Sequence, residues 1–328
     1  FAINLTVSPV ASKARSCFLA LIQKVQASLS KFDEEARALM PPSVRKVHGT
    51  HSPGLLLFWI LLLGWPDLNL VLLEVEGYAI LGPIAPSNLY PCVAAPPAMS
   101  IPTFLSSAAH WNSSLLSILG PADDPATDRE LLRQTREDRT LGACWGPFSL
   151  EQLNSVWGPG GWRAIVRRGL WQPHNGKLRA IDNARSSQHN EATSEQERLR
   201  VICGDIVPAV ARRYMSLLRD PADASLAASS SRLLPGGAST QPTYNLSSLP
   251  PQQGRARLRR ASSFSKPPFQ LVGSSEDWSR GYRQRACNEA SLRFNVVAFY
   301  HADLQKVVFW VYAGLLFGLA SSVISFNR

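Results

Sequence analysis

Apolar residues at Phe18, Leu21, Ile22, Val25 and Leu29 recur at spacings of three and four, which predicts an amphipathic helix near the start of the chain. The stretch from Lys31 to Met40 extends it as a charged helical face. Leu55 to Leu63 is a continuous apolar run closed by Gly64-Trp65-Pro66-Asp67. It falls short of the roughly 20 apolar residues a bilayer-spanning helix needs, so a buried segment is expected. Between Gly77 and Pro102 the prolines and small residues deny long helices and predict an extended, loop-rich stretch.

Thr127-Asp128-Arg129-Glu130 has the form of a capping box and predicts a helix through about Arg139. Ser149-Leu150-Glu151-Gln152 repeats the signal for a short helix that stops before Gly158-Pro159-Gly160-Gly161. No Gly-Lys-Ser/Thr follows those glycines, so they read as a turn rather than a phosphate loop. Trp162 to Ile181 alternates short apolar pieces with Arg163, Arg167, Arg168, Lys177 and Arg179 around Pro173-His174-Asn175-Gly176, the pattern of a basic hairpin. A helix is expected from Asp205 to Arg219, with Ile206, Val210, Tyr214 and Leu217 on one face. Residues 225–268 are rich in Ser, Pro and Arg and read as a linker or insertion.

The 328 residues and 45% hydrophobic content suffice for a buried core and exclude a disordered tail. A net charge of +10 favours an anionic partner, either nucleic acid or a phospholipid surface. The five cysteines are far apart, without a Cys-x-x-Cys pair or a metal-spaced His, which disfavours a disulfide scaffold or a zinc module. With no secretory leader visible, an intracellular location is expected, in cytoplasm or nucleus. The chain opens at Phe1 and ends inside what reads as a structured segment, so a piece of a longer protein is expected. Sequons at Asn4, Asn112 and Asn245, and the kinase-like Arg259-Arg260-Ala261-Ser262, are patterns that arise easily by chance.

Three segments of the second half occur in a meaningful order: Lys177-Leu178-Arg179-Ala180-Ile181-Asp182-Asn183-Ala184-Arg185 with Asn190; Asp277-Trp278-Ser279-Arg280-Gly281-Tyr282-Arg283-Gln284; and Phe317-Gly318-Leu319-Ala320-Ser321-Ser322-Val323-Ile324-Ser325-Phe326-Asn327-Arg328. Together they resemble the fingers motif, palm motif A and motif B of the reverse transcriptases of retroelements, over about residues 141–328. The resemblance implies an α+β fold, the fingers and partial palm of a right-hand polymerase, incomplete at the C-terminus. It divides the chain into an N-terminal region of uncertain fold (1–140), a fingers-like region (141–224), the linker (225–268) and a partial palm (269–328).

It further implies template-directed DNA synthesis with Mg2+ or Mn2+, on an RNA or DNA template-primer, from deoxynucleoside triphosphates. Asp277 corresponds to a metal-binding catalytic carboxylate and Tyr282 to the ring that gates the ribose. Lys177 and Arg179 correspond to cations gripping the triphosphate, and Gly318 to the turn beneath the nascent pair. Asp182, Arg185 and Asn190 would lie on the template side. The sequence also departs from the pattern. Ser321-Ser322-Val323 stands where Asn-Ala-Pro is usual, Gly281 replaces a small Ala, and the carboxylates of motif C are missing, so the chain alone is expected to be inactive.

Two other readings compete. Val307 to Phe326 is twenty residues without a charge between Lys306 and Arg328, long enough for a spanning helix. The basic segments would alternatively serve a non-catalytic RNA-binding fragment.

Overall fold

The computed structural model describes residues 9–93, 95–199 and 281–328. Residues 1–199 and 273–328 make one compact unit, and residues 200–272 fall in a second. The expected Asp205–Arg219 helix, the linker and Asp277 all lie outside the described residues.

The described fold is α+β. Its centre is a five-stranded sheet built from β2 (Cys144–Phe148), β3 (Ala164–Trp171), β4 (Leu178–Asn183), β6 (Val296–His301) and β7 (Lys306–Tyr312), in the order β2-β7-β6-β3-β4. Strand β3 is parallel to β6 and every other pairing is antiparallel. The hairpin anticipated around Pro173–Gly176 is present, with Arg167 opposite Asp182 and Leu170 opposite Arg179. A separate two-stranded parallel ribbon joins β1 (Gly82–Ile84) to β5 (Thr193–Glu195).

Alternation along the strands sends side chains into two different cores. Ile165, Val297, Phe299, Val308 and Trp310 enter one cluster with Tyr78, Ile80, Phe104 and Leu132. Val166, Val296, Ala298, Phe309 and Val311 enter the other with Leu115, Leu153 and Trp162. Both faces of the central strands are therefore covered, which is why they are apolar at nearly every position instead of at alternate ones. Helices α7 (Ala108–Ile118) and α9 (Leu150–Trp157) cover the second face. Helix α8 (Pro125–Thr140) covers the first. The first 140 residues thus share a core with the C-terminal strands.

Local signals are met unevenly. Ser149 and Gln152 form the anticipated reciprocal capping box of α9. Helix α8 starts three residues earlier than expected, because the Asp124 side chain, not Thr127, caps it by accepting from the Ala126 amide. Thr127 instead accepts from the Trp171 indole N–H, which ties the helix to the hairpin. Asn112, one of the sequons, is buried between the Trp162 carbonyl and the Ala164 amide, where no glycan fits.

The apolar run at 55–63 forms α4 (Pro53–Leu63), but only its first residues and Ile60 are buried, correcting the expectation of a buried segment. The uncharged stretch 307–326 is not one helix. It is strand β7, a turn, and the seven-residue α10 (Ala320–Phe326). No helix among the described residues is long and apolar enough to cross a membrane.

Candidate functional site

The described residues of the three segments that carry the resemblance, 177–190, 281–284 and 317–328, meet at the edge of the first core. Asp182, near the end of β4, projects to the same sheet face as Arg167 and forms a two-point ion pair with it. Nε lies 2.6 Å from Oδ1 and Nη2 lies 3.0 Å from Oδ2. Both side chains are 1% exposed. A second cation comes from the 3₁₀ turn Gly281–Gln284, where Arg283 places Nη2 3.3 Å from Asp182 Oδ2. The two guanidiniums lie 4.6 Å and 4.3 Å from the centre of the Tyr312 ring.

The Tyr312 hydroxyl accepts from Arg167 and donates to Asp138 Oδ2 at 3.1 Å. Asp138 lies 3.7 Å from Arg283, and Thr135 accepts from Arg167 at 3.3 Å. Two arginines thus face two aspartates around one tyrosine. Burial alone would lower the pKa of Arg167, but Asp182 and Tyr312 outweigh it and keep the guanidinium charged. Burial raises the phenol of Tyr312, so it stays a neutral hydroxyl.

The turn before α10 closes onto this cluster. Gly318 sits at φ +104 with its α-carbon against the Asp182 carbonyl, where any added β-carbon would collide. Only glycine combines that backbone conformation with that approach. Asn190 fastens the turn by donating to the Gly318 carbonyl at 3.1 Å and accepting from the Ala320 amide at 2.9 Å. The Tyr282 ring packs between Phe317 and Phe326, at 5.6 Å and 5.1 Å. Arg328 closes the segment with a two-point pair to Asp67, at 2.8 Å and 2.9 Å.

These placements redistribute the roles implied by the resemblance. Asp182 is buried in an ion pair, not presented to a template. Asn190 holds a turn. Tyr282 is half-buried in an aromatic cluster. Lys177, Arg179 and Arg185 are exposed, and Arg179 lies on the opposite sheet face from Asp182, three residues away along an alternating strand. With Arg168 they form an exposed basic surface on the hairpin and the turn after it, without an acidic partner among the described residues.

Several residues of the cluster carry signals in the sequence that went unused. Arg167 shares the parity of Ile165 along β3, and Thr135 and Asp138 continue the Leu131 stripe of α8 at helical spacing. A polar residue at an apolar position is the mark of a buried network. Tyr312, ending an otherwise apolar strand, gives the same mark.

A cleft of about 470 Å3 opens beside the cluster, lined by Lys46, His51, Asp138 and Arg283. At its margin lies a second polar group. His48 of α3 (Pro42–His48) and His51 converge on Glu74 of α5 (Asn69–Glu76), with ligand-type atoms within 4.8 Å of one another. His48 is saturated, donating from Nδ1 to the Glu74 carbonyl and accepting the Ala286 amide on Nε2, both at 2.8 Å. Burial lowers its pKa and keeps it neutral. The Glu74 carboxylate takes His51 at 2.8 Å and also Arg285. Hydrogen bonds and charges from His51, His48 and Arg285 outweigh its burial and hold its pKa below the usual carboxylate value.

None of these sets fits Mg2+, which requires several oxygen ligands with uncompensated charge. Asp182 and Asp138 are paired with arginines, and the His48–His51–Glu74 group is nitrogen-rich and already bonded. No catalytic step is assigned to a metal on them. No protein-family model matches the chain, and no curated protein or solved structure was found to be similar to it.

Proposed function

We propose that residues 141–328 are a nucleic-acid- and nucleotide-binding unit of the retroelement reverse-transcriptase type. The α+β fold would then correspond to fingers and part of a palm, and the reaction of the type is template-directed nucleotidyl transfer. The observation that carries this reading is convergence. Segments at 177–190, 281–283 and 317–328, far apart in sequence, touch one another through Asp182–Arg283, Asn190–Gly318 and Tyr282–Phe326. Chance resemblance in three unrelated loops gives no reason for them to pack together.

In this reading the exposed Lys177 and Arg179 meet phosphate, where a guanidinium fork suits phosphate oxygens. The buried cluster keeps hairpin, turn and α10 in register. Asp277 would supply the metal-binding carboxylate.

The test uses the full chain. Binding of a labelled primer–template and of a deoxynucleoside triphosphate is followed by fluorescence anisotropy, with and without Mg2+. Triphosphate affinity is expected to fall about tenfold in Lys177→Ala/Arg179→Ala, the scale of one or two lost charge-assisted contacts. Asp277→Asn is expected to abolish the Mg2+ dependence. A chain that binds neither ligand overturns the proposal.

The basic hairpin surface also supports a second reading, a non-catalytic RNA-binding module. RNA binding without any triphosphate binding would select it.

A further inference from the structure

The most anomalous surface lies away from this cluster. Leu61, Leu62 and Leu63, at the end of α4, are 67%, 61% and 68% exposed. Gly64 follows in a left-handed cap, then Trp65 and Pro66, also exposed, so six consecutive uncharged residues face outward. Leu68 and Leu72 add to them. An apolar patch of this kind on a soluble protein marks a binding surface. We infer that this tip is an insertion site for an anionic phospholipid surface.

Three observations select that occupant. The first is angular. Consecutive helix residues point about 100° apart, so the three leucines spread over roughly 200° of the helix circumference. A protein partner covers one stripe of a helix, whereas lipid surrounds a tip.

The second is length. Eleven helical residues reach about 16 Å, about half the hydrocarbon core, which suits shallow insertion and rules out spanning. After Gly64 the chain turns back, with the Trp65 amide bonded to the Ile60 carbonyl, and it leaves at the helix end a partly exposed indole, a side chain favoured at a membrane–water boundary.

The third is charge complementarity. Helix α1 (Pro9–Ser28) runs antiparallel to α4. Leu29, just past its end, lies against Gly54, and Phe18 meets Trp59 at 6.0 Å. Its earlier residues therefore run toward the leucine end, carrying exposed Lys13 and Arg15. The first 32 residues contain no acid. The nearby Asp33 and Asp67 are buried and bonded internally, to Ser52 and Gly54 and to Arg328 respectively. The tip thus presents leucines with cations beside them, the pattern of a peripheral anchor that reads anionic headgroups. This inference is independent of the proposed polymerase relationship.

The experiment is flotation of the full chain with phosphatidylcholine vesicles, with and without about 30% phosphatidylserine. Cofloating is expected with the mixed vesicles and to weaken in high salt. Leu61→Ser/Leu62→Ser/Leu63→Ser changes only exposed side chains and is expected to cut partitioning by tenfold or more, on the order of three lost apolar insertions. Lys13→Glu is expected to weaken binding to the mixed vesicles alone.

A readout free of any folding defect is tryptophan quenching of the unaltered chain by brominated lipids, reduced in Trp65→Phe. Absence of flotation, or equal flotation of the serine variant, overturns the inference. A concentration-dependent dimer that the serine variant abolishes, without flotation, assigns the tip to a second copy of the chain and also overturns it.

Discussion

Asp182→Asn removes one negative charge from a buried ion pair. Arg167 then keeps its charge at 1% exposure with a neutral amide in place of a two-point carboxylate. Arg283 loses the oxygen 3.3 Å away, and Asp138 is left as the single carboxylate facing two guanidiniums around Tyr312. Breaking a buried pair by neutralising one partner costs about 3–5 kcal/mol, and the second stranded cation places this case at about 4 kcal/mol. In a unit of this size each kcal/mol moves Tm by about 2–4 °C, so a fall of about 8–16 °C is expected. Urea titration and thermal circular dichroism measure both quantities. Replacing the pair together, as Arg167→Met/Asp182→Leu, is expected to recover a large part of the loss, because the desolvation cost disappears with the charges. Nucleic-acid affinity per folded molecule is expected to stay the same. A loss below about 1 kcal/mol would mean that the pair is solvated. Weakened RNA binding at full stability would instead restore Asp182 to a template surface.

Gly318→Ala is expected to destabilise by more than about 2 kcal/mol in the same urea assay, since the positive φ and the Asp182 carbonyl act together. Burial, helped by the Arg163 charge, pushes the pKa of His189 down to about 3 from an ordinary 6.5. The unfolded chain therefore binds the extra proton first, and stability is full above pH 6.5 and lost as pH falls toward 3, with about 2 kcal/mol gone at pH 5. His189→Gln is expected to remove that part of the difference between urea titrations at pH 7 and pH 5. Burial raises the thiols of Cys144 and Cys287 to about 11 and about 12, whereas Cys17 and Cys92 are exposed. Brief alkylation of the native protein followed by peptide mass spectrometry is expected to label the latter two and spare the former two.

What the sequence made legible follows from how local each signal is. The capping box at Ser149 and the hairpin at 173–176 depend on four to twelve neighbouring residues, and both form as read. The cap of α8 was misplaced because the Thr127 hydroxyl has a distant partner, Trp171, that no local pattern encodes. The uncharged stretch at 307–326 reads as a spanning helix because a strand buried on both faces is as apolar as a membrane span. The Trp310 and Phe309 contacts to opposite cores are what such a strand requires. The burial of Asp182 is likewise not a local signal. It depends on Arg167, fifteen residues away on the other strand of the hairpin.

The distribution of buried charge bears on both proposed partners. Among the described residues seven carboxylates are buried, Asp33, Asp67, Glu74, Asp128, Asp138, Asp182 and Glu197, against three guanidiniums, Arg163, Arg167 and Arg328. Among the described residues, folding therefore withdraws negative charge from the surface preferentially, which adds to the basic bias of a chain with a formal charge of +10. That bias helps any polyanion, so raw affinity for RNA or lipid has little power to discriminate between sites. Salt dependence and site-specific loss do discriminate. Phosphate contacts at Lys177 and Arg179 weaken along a log–log salt slope set by the number of neutralised phosphates. Insertion of Leu61 to Leu63 keeps a component that salt cannot screen, because transfer of apolar surface carries no charge. A chain that binds RNA and vesicles with the same salt slope, insensitive to either set of substitutions, would be a generic polycation, and both site assignments would fall together.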